Sequence, residues 1–137
     1  MKSKQVLSID QMKHLQELSL DTSDASMYWV RRSHGSRIDD KSKGEWFLSL
    51  QKEFMVCGFI SYEIVPTYAL QDILDKQPCF IGTHVLTLQK LANSYTCLYM
   101  EPYSRSILNM TESKELIDAS YYMLCWCIEN GYIKKEE

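Results

Sequence analysis

Residues 111–131 read TESKELIDASYYMLCWCIENG and contain the longest apolar run of the chain. Thr111 suits the N-cap of a helix, and two glutamates follow where the positive end of the helix dipole favours acids. Gly131 suits the left-handed residue that ends a helix. We therefore predict a long helix from Thr111 to Asn130.

The surface of this helix is apolar over more than one stripe, because Tyr121, Tyr122 and Trp126 widen it. A helix that is apolar on most sides is buried on most sides, either within its own chain or against a second one. The sequence leaves both explanations open. If a second copy covers this face, Tyr121, Tyr122 and Trp126 form the surface of a homodimer.

Two shorter helices precede it. Ser8 and Gln11 have the spacing of a capping box, which predicts a first helix from Ile9 to Leu18. A short middle helix is predicted over residues 68–76. Thr67 would cap this helix, and Pro78 would close it.

Between the helices, runs of β-branched and aromatic residues predict strands. Asn93 suits a left-handed turn residue between the last two strands, and Pro66 and Pro102 are expected to stop strands. The predicted strands lie within residues 27–31, 45–50, 54–64, 80–90 and 95–101, with at least one strand in the second and third of these ranges together.

These strands come in neighbouring pairs and do not alternate with helices. This order predicts an α+β fold. We expect an antiparallel sheet of about four strands, on which an N-terminal helix, a short middle helix and a long C-terminal helix pack. With 137 residues, the chain has the length of one globular domain, residues 1–137.

The composition restricts the partners and the cellular location that we expect for the protein. The formal net charge of −3 argues against non-specific binding of nucleic acid, which needs a basic surface. No apolar run approaches the roughly 20 residues of a membrane-spanning helix, and no export signal is apparent, so we expect a cytoplasmic protein without membrane contact. The five cysteines then read as free thiols.

No arrangement of reactive residues typical of catalysis is apparent. His14, His34 and His84 stand alone in separate segments, and the spacing typical of zinc ligands is missing. We therefore predict no catalytic residue, no metal site, no cofactor and no small-molecule substrate. An enzyme would require a pocket that brings His34 or His84 together with a carboxylate.

The most distinctive polar segment is a basic loop over residues 31–43. Basic groups beside aromatic rings suit either the backbone and bases of a nucleic acid or an acidic protein surface. A solvated loop without a partner is the third explanation. The residues concerned are the basic Arg31, Arg32, Arg37, Lys41 and Lys43 and the flanking aromatic residues Trp29 and Trp46.

Three stretches also carry a resemblance to a known group of proteins. LSIDQMKHLQELSLDTSDASM, YALQDIL and SYYMLCWCIENGYI resemble segments of small uncharacterised proteins from prophages and mobile elements of gut bacteria. This resemblance implies an accessory role in such an element. It implies no activity for any individual residue.

From the sequence we expect a small, non-enzymatic protein-interaction protein that binds a protein partner or associates with itself. The alternative is a nucleic-acid-associated protein that uses the basic loop 31–43. Loss of binding with rising salt, and after replacement of Arg31 and Arg32 by alanine, would favour this alternative.

Overall fold

The computed structural model of the protein describes residues 4–34, 44–50 and 61–134. Three helices and seven strands lie in these ranges. In chain order they are α1 (Ile9–Glu17), β1 (Met27–His34), β2 (Phe47–Ser49), β3 (Ser61–Thr67), α2 (Leu70–Lys76), β4 (Phe80–Ile81), β5 (His84–Lys90), β6 (Tyr95–Met100), β7 (Ile107–Ser113) and α3 (Leu116–Glu129).

The strands form two antiparallel sheets. The strands of the first sheet precede α2 in the sequence, and those of the second follow it. The first has the order β2-β1-β3 and the second the order β4-β5-β6-β7. The predicted α+β class and the order of the three helices are confirmed. The sequence did not predict the division into two sheets, because alternation along a strand identifies its faces and not its neighbours.

Helix α1 begins as its sequence predicts. The Ser8 hydroxyl accepts a hydrogen bond from the Gln11 backbone N–H at 3.1 Å, and the Gln11 side chain accepts one from the Ser8 backbone N–H at 2.9 Å. Leu7 before the cap and Met12 in the helix are both buried in one cluster. This capping box and apolar contact fix the direction in which the chain enters α1.

Helix α3 packs on both sides and joins two hydrophobic clusters. On one side Leu124 and Ile128 pack with residues of α1 and α2, including Leu15 and Ile73. On the other side Ala119, Met123 and Cys127 pack against Cys97 and Tyr99 of β6. The width of its apolar surface is therefore explained largely by contacts within the chain.

The beginning of α3 differs from the prediction. Residues 107–113 form strand β7, and the helix starts only at Leu116, with Glu115 as its N-cap. Thr111 pairs with Cys97 of β6, and its hydroxyl donates to the Ala119 carbonyl oxygen at 2.6 Å. The predicted start at Thr111 and the predicted end of the sheet region at Pro102 are wrong, because pairing with β6 outweighs the capping preference of this threonine.

The end of α3 is confirmed. Gly131 has a φ of 78°, and its N–H donates to the carbonyl oxygen of Ile128 at 3.2 Å. The N–H of Tyr132 donates to the carbonyl oxygen of Cys127 at 2.9 Å. These two bonds form a Schellman motif, which uses carbonyl groups that the helix leaves without a partner.

Two predictions around α2 are wrong. Pro66 does not stop β3, which continues to Thr67; β3 lies at the sheet edge, where a proline without an N–H is tolerated. Thr67 does not cap α2, whose N-cap is Ala69. The Thr67 hydroxyl instead donates to the Leu7 carbonyl oxygen at 2.7 Å.

The second sheet also departs from the prediction in its turns. Residues 80–90 are not one strand, since Gly82, with a φ of 62°, turns the chain between β4 and β5. The hairpin between β5 and β6 is confirmed. Asn93 in that hairpin does not have the left-handed backbone expected of it. Among the described residues other than glycine, a positive φ occurs at Ser19 and Arg105 and not at Asn93.

Candidate interaction surfaces

Arg31 and Trp46, two residues of the predicted basic surface, lie in contact. The Arg31 guanidinium carbon lies 4.5 Å from the centre of the Trp46 ring, and Nη2 of Arg31 lies 2.7 Å from Oε2 of Glu63. Arg31 faces Glu63 because the two residues are paired across β1 and β3. The arginine is thus engaged by an acid and an aromatic ring of its own chain.

A cavity of about 520 Å³ lies beside this pair, between the start of α1 and the first sheet. Its charged lining residues are Asp10, Lys13, Arg31 and Glu63. Two acids face two bases, so the formal charges of this lining cancel. Such a surface lacks the excess positive charge that attracts a phosphate backbone.

The other predicted members of the basic surface are placed differently. The Trp29 indole N–H donates to the Leu7 carbonyl oxygen at 2.9 Å, so this ring holds the fold together. Arg32 is exposed on β1. Arg37, Lys41 and Lys43 lie outside the described residues.

The predicted dimer surface on α3 is covered to a large extent. Tyr121 is only 7% exposed and belongs to the cluster with α1 and α2. Trp126 is half-buried, and its ring lies 5.2 Å from that of Tyr132 and 6.4 Å from that of Tyr99, centre to centre. Tyr122 alone of the three is exposed, at 49%.

Reactive side chains do not converge in the described part of the chain. Nδ1 of His14 lies 3.8 Å from Oε2 of Glu17 on the same helix, while His84 lies on β5. Within residues 4–34, 44–50 and 61–134, no three His, Cys, Asp or Glu side chains are placed to hold a metal ion. The sequence grouped Cys79 with strand cysteines, but it lies exposed between α2 and β4.

Three buried cysteines are poor nucleophiles. Burial raises the pKa of the Cys97 thiol to about 12, and it raises the pKa of the Cys125 and Cys127 thiols to about 11. Because the thiolate is the reactive form, these side chains act as small apolar groups at neutral pH.

The structure reveals an exposed apolar surface that the sequence did not predict. In the second sheet, Ile81, Leu86 and Tyr99 pack toward α3. Their neighbours along the strands point to the opposite side. There Phe80, Val85, Met100 and Ile107 form one row across all four strands, with Met110 in the next row.

We call these five residues the outer face. Phe80 is 62% exposed, and Ile107 and Met110 are each 49% exposed, whereas Val85 and Met100 are half-buried. Leu98, which pairs with Met110 and points to the same side, is only 1% exposed, so the exposed apolar groups lie at the margins of this side of the sheet. Large apolar groups placed together on a surface are typical of sites that contact another protein. The sequence did not predict the outer face, because Thr111 and the residues after it have the pattern of a helix start and no strand was predicted within residues 107–113. The β-forming residues Ile107 and Thr111 were the available indication of this strand.

Comparison of the chain with protein-family models, with curated proteins and with solved structures gave no match. Among the helices of the described residues, none has the length and apolar character needed to cross a membrane.

Proposed function

We propose that this protein acts by binding another protein, and that the outer face is its contact surface. The observation behind this proposal is the row of apolar side chains across the second sheet, in which Phe80 and Ile107 are exposed at the two ends. A partner that covers this row would remove apolar surface from water, and this removal drives most protein association.

Binding of nucleic acid is the less favoured function. Arg31 is paired with Glu63, and the charged residues that line the adjoining cavity balance each other. The net charge of the whole chain is −3. These charges disfavour the long-range attraction on which binding to a phosphate backbone depends.

An accessory role in a prophage or mobile element is part of the proposal. The resemblance of the stretches around α1, α2 and α3 to proteins of such elements supports it.

The proposal is tested with matched surface variants. The outer-face variant combines Phe80→Ser with Met110→Ser. The control combines Tyr103→Ser with Tyr122→Ser, which are two exposed tyrosines outside the outer face. Wild type and the two variants are each used as bait in a host lysate. Proteins that wild type retains are purified, and their binding to each of the three baits is then measured by titration. Circular dichroism verifies that both variants fold.

We expect a purified partner to bind wild type and control equally and the outer-face variant at least tenfold more weakly, because central apolar contacts dominate interface energies. Equal binding to both variants would refute the role of the outer face. Retention of nucleic acid alone, released by salt and abolished by Arg31→Ala with Arg32→Ala, would replace the proposal with the nucleic-acid function.

A further inference from the structure

The end of α3 carries a pair of residues whose covalent structure is labile. Asn130 is the C-cap of the helix, with a φ of −98° and a ψ of 9°, and Gly131 follows it with a φ of 78°. Both residues are exposed. Asparagine is among the thermally labile residues of proteins. A glycine after it leaves the backbone nitrogen accessible to the asparagine side chain, because glycine has no Cβ.

We propose that Asn130 is a site of spontaneous modification, at which its side-chain amide is lost as ammonia. The Gly131 backbone nitrogen gives its proton to water and bonds to Cγ of Asn130, while the bond from Cγ to Nδ2 breaks and Nδ2 takes up a proton. Water then opens the resulting ring at one of its two carbonyl groups, which gives aspartate or isoaspartate. This inference concerns the end of α3, so it goes beyond the proposed function and can fail without it.

The folded structure slows this reaction, because both reacting groups are hydrogen-bonded to the helix. Nδ2 of Asn130 donates to the Trp126 carbonyl oxygen at 2.8 Å, and the Gly131 N–H donates to the Ile128 carbonyl oxygen at 3.2 Å. Ring closure therefore requires release of the last turn of α3. Helix ends open locally at a lower free-energy cost than global unfolding. The rate of modification in the folded protein is therefore set by this local opening.

The products weaken the contact between the C-terminal segment and the core. Ile133, two residues after Gly131, packs against both hydrophobic clusters. Aspartate at position 130 adds a negative charge beside Glu129, at the negative end of the helix dipole. Isoaspartate adds one atom to the backbone, so the two N–H groups of the Schellman motif no longer match their carbonyl oxygens.

The first test follows each asparagine by mass spectrometry during incubation at neutral pH. Trypsin cleaves after lysine and arginine, which places Asn93, Asn109 and Asn130 on three different peptides. Folded wild type should slowly give both products at Asn130, which liquid chromatography separates. In urea the rate at Asn130 should be at least tenfold higher, because the protecting turn is lost. It should also exceed the rates at Asn93 and Asn109, since the residues after them carry side chains.

Two variants separate the reaction from its protection. Gly131→Ala should slow the reaction in urea at least tenfold, because the added Cβ obstructs the attacking nitrogen. Tyr132→Ser removes the ring that lies 5.2 Å from Trp126, and it should raise the rate in the folded protein while leaving the rate in urea unchanged.

The site is wrong if folded wild type gives no product at Asn130 over several weeks, or if Gly131→Ala reacts as fast as wild type in urea. Equal rates in folded and unfolded wild type would overturn the protection by α3. So would a Tyr132→Ser variant that reacts no faster than wild type when folded.

The second test measures the effect of the product on stability. Asn130→Asp carries the charge of one product, and Asn130→Ser is its neutral control. Both variants lose the side-chain hydrogen bond to the Trp126 carbonyl oxygen. A lower urea unfolding midpoint for Asn130→Asp than for Asn130→Ser is expected, and salt should reduce the difference. Equal midpoints would show that the added charge does not weaken the end of α3.

Discussion

The carbonyl oxygen of Leu7 accepts two side-chain hydrogen bonds, and this arrangement gives a measurable coupling. Thr67 Oγ1 on β3 donates at 2.7 Å, and Trp29 Nε1 on β1 donates at 2.9 Å. Leu7 and Thr67 are fully buried. The two bonds attach the segment before α1 to the first sheet.

Removing one donor leaves the buried carbonyl with the other. Thr67→Val, which keeps the shape of the side chain, should therefore lower the free energy of unfolding by about 1 kcal/mol. Trp29→Phe should cost a similar amount for its hydrogen bond, together with the packing of the lost ring atoms. In the double variant both donors are gone, so the loss should exceed the sum of the single losses by roughly 1 kcal/mol.

Urea unfolding followed by circular dichroism measures these losses without depending on tryptophan fluorescence. Thr96→Val is the matched control, because Thr96 is also a buried strand residue. Its hydroxyl lies 3.5 Å from the Gln89 side-chain oxygen, which is too long for a strong hydrogen bond, so its loss should cost little. If Thr67→Val costs no more than Thr96→Val, or if the losses in the double variant are additive, the two hydrogen bonds to the Leu7 carbonyl oxygen do not contribute to stability as expected. A large coupling would also show that the Trp29 side chain stabilises the fold through its hydrogen bond to the Leu7 carbonyl oxygen.

Three further predictions concern stability. The free energy of unfolding should fall as pH rises from about 9 to about 11. The reason is that the pKa of the Cys125 and Cys127 thiols is 9.0 in the unfolded chain and about 11 in the folded protein, so the unfolded chain loses these protons first. A urea unfolding midpoint that does not change over this pH range would contradict the prediction. Gly131→Ala should cost about 1 kcal/mol and Gly131→Asn less, since φ is 78° there and no atom lies within 4 Å of an added Cβ; equal losses would contradict the backbone explanation. Leu124→Ala should cost about 3 kcal/mol in thermal or urea unfolding, because its side chain is fully buried, and a loss below about 1 kcal/mol would place it outside the core.

Local chemistry predicted the helix ends well where side chain and backbone interact within a few residues. The Ser8 capping box and the Gly131 cap are both present. Prediction failed where a distant strand competes for the same residue. Thr111 has the chemistry of a helix cap and is also a β-former, and its pairing with Cys97 on β6 places it in β7. The local sequence does not show which of these two structures the residue adopts.

The candidate surfaces show the same limit. The sequence placed Trp46 beside the basic loop that begins at Arg31, and the structure brings these two residues together. The Glu63 that neutralises Arg31, however, lies 32 residues further along the chain, on another strand. The outer face depends on the register of four strands. Spacing along the chain does not show which residues of different strands lie side by side, because that depends on how the strands are aligned in the sheet.

The position of α3 between the two clusters has a consequence for biosynthesis. Every other described element precedes α3 in the chain, and both clusters include its residues. On the ribosome, neither hydrophobic cluster can therefore be completed before α3 has been translated. A premature stop codon before Leu116 would leave both clusters incomplete at once, with apolar side chains exposed in each.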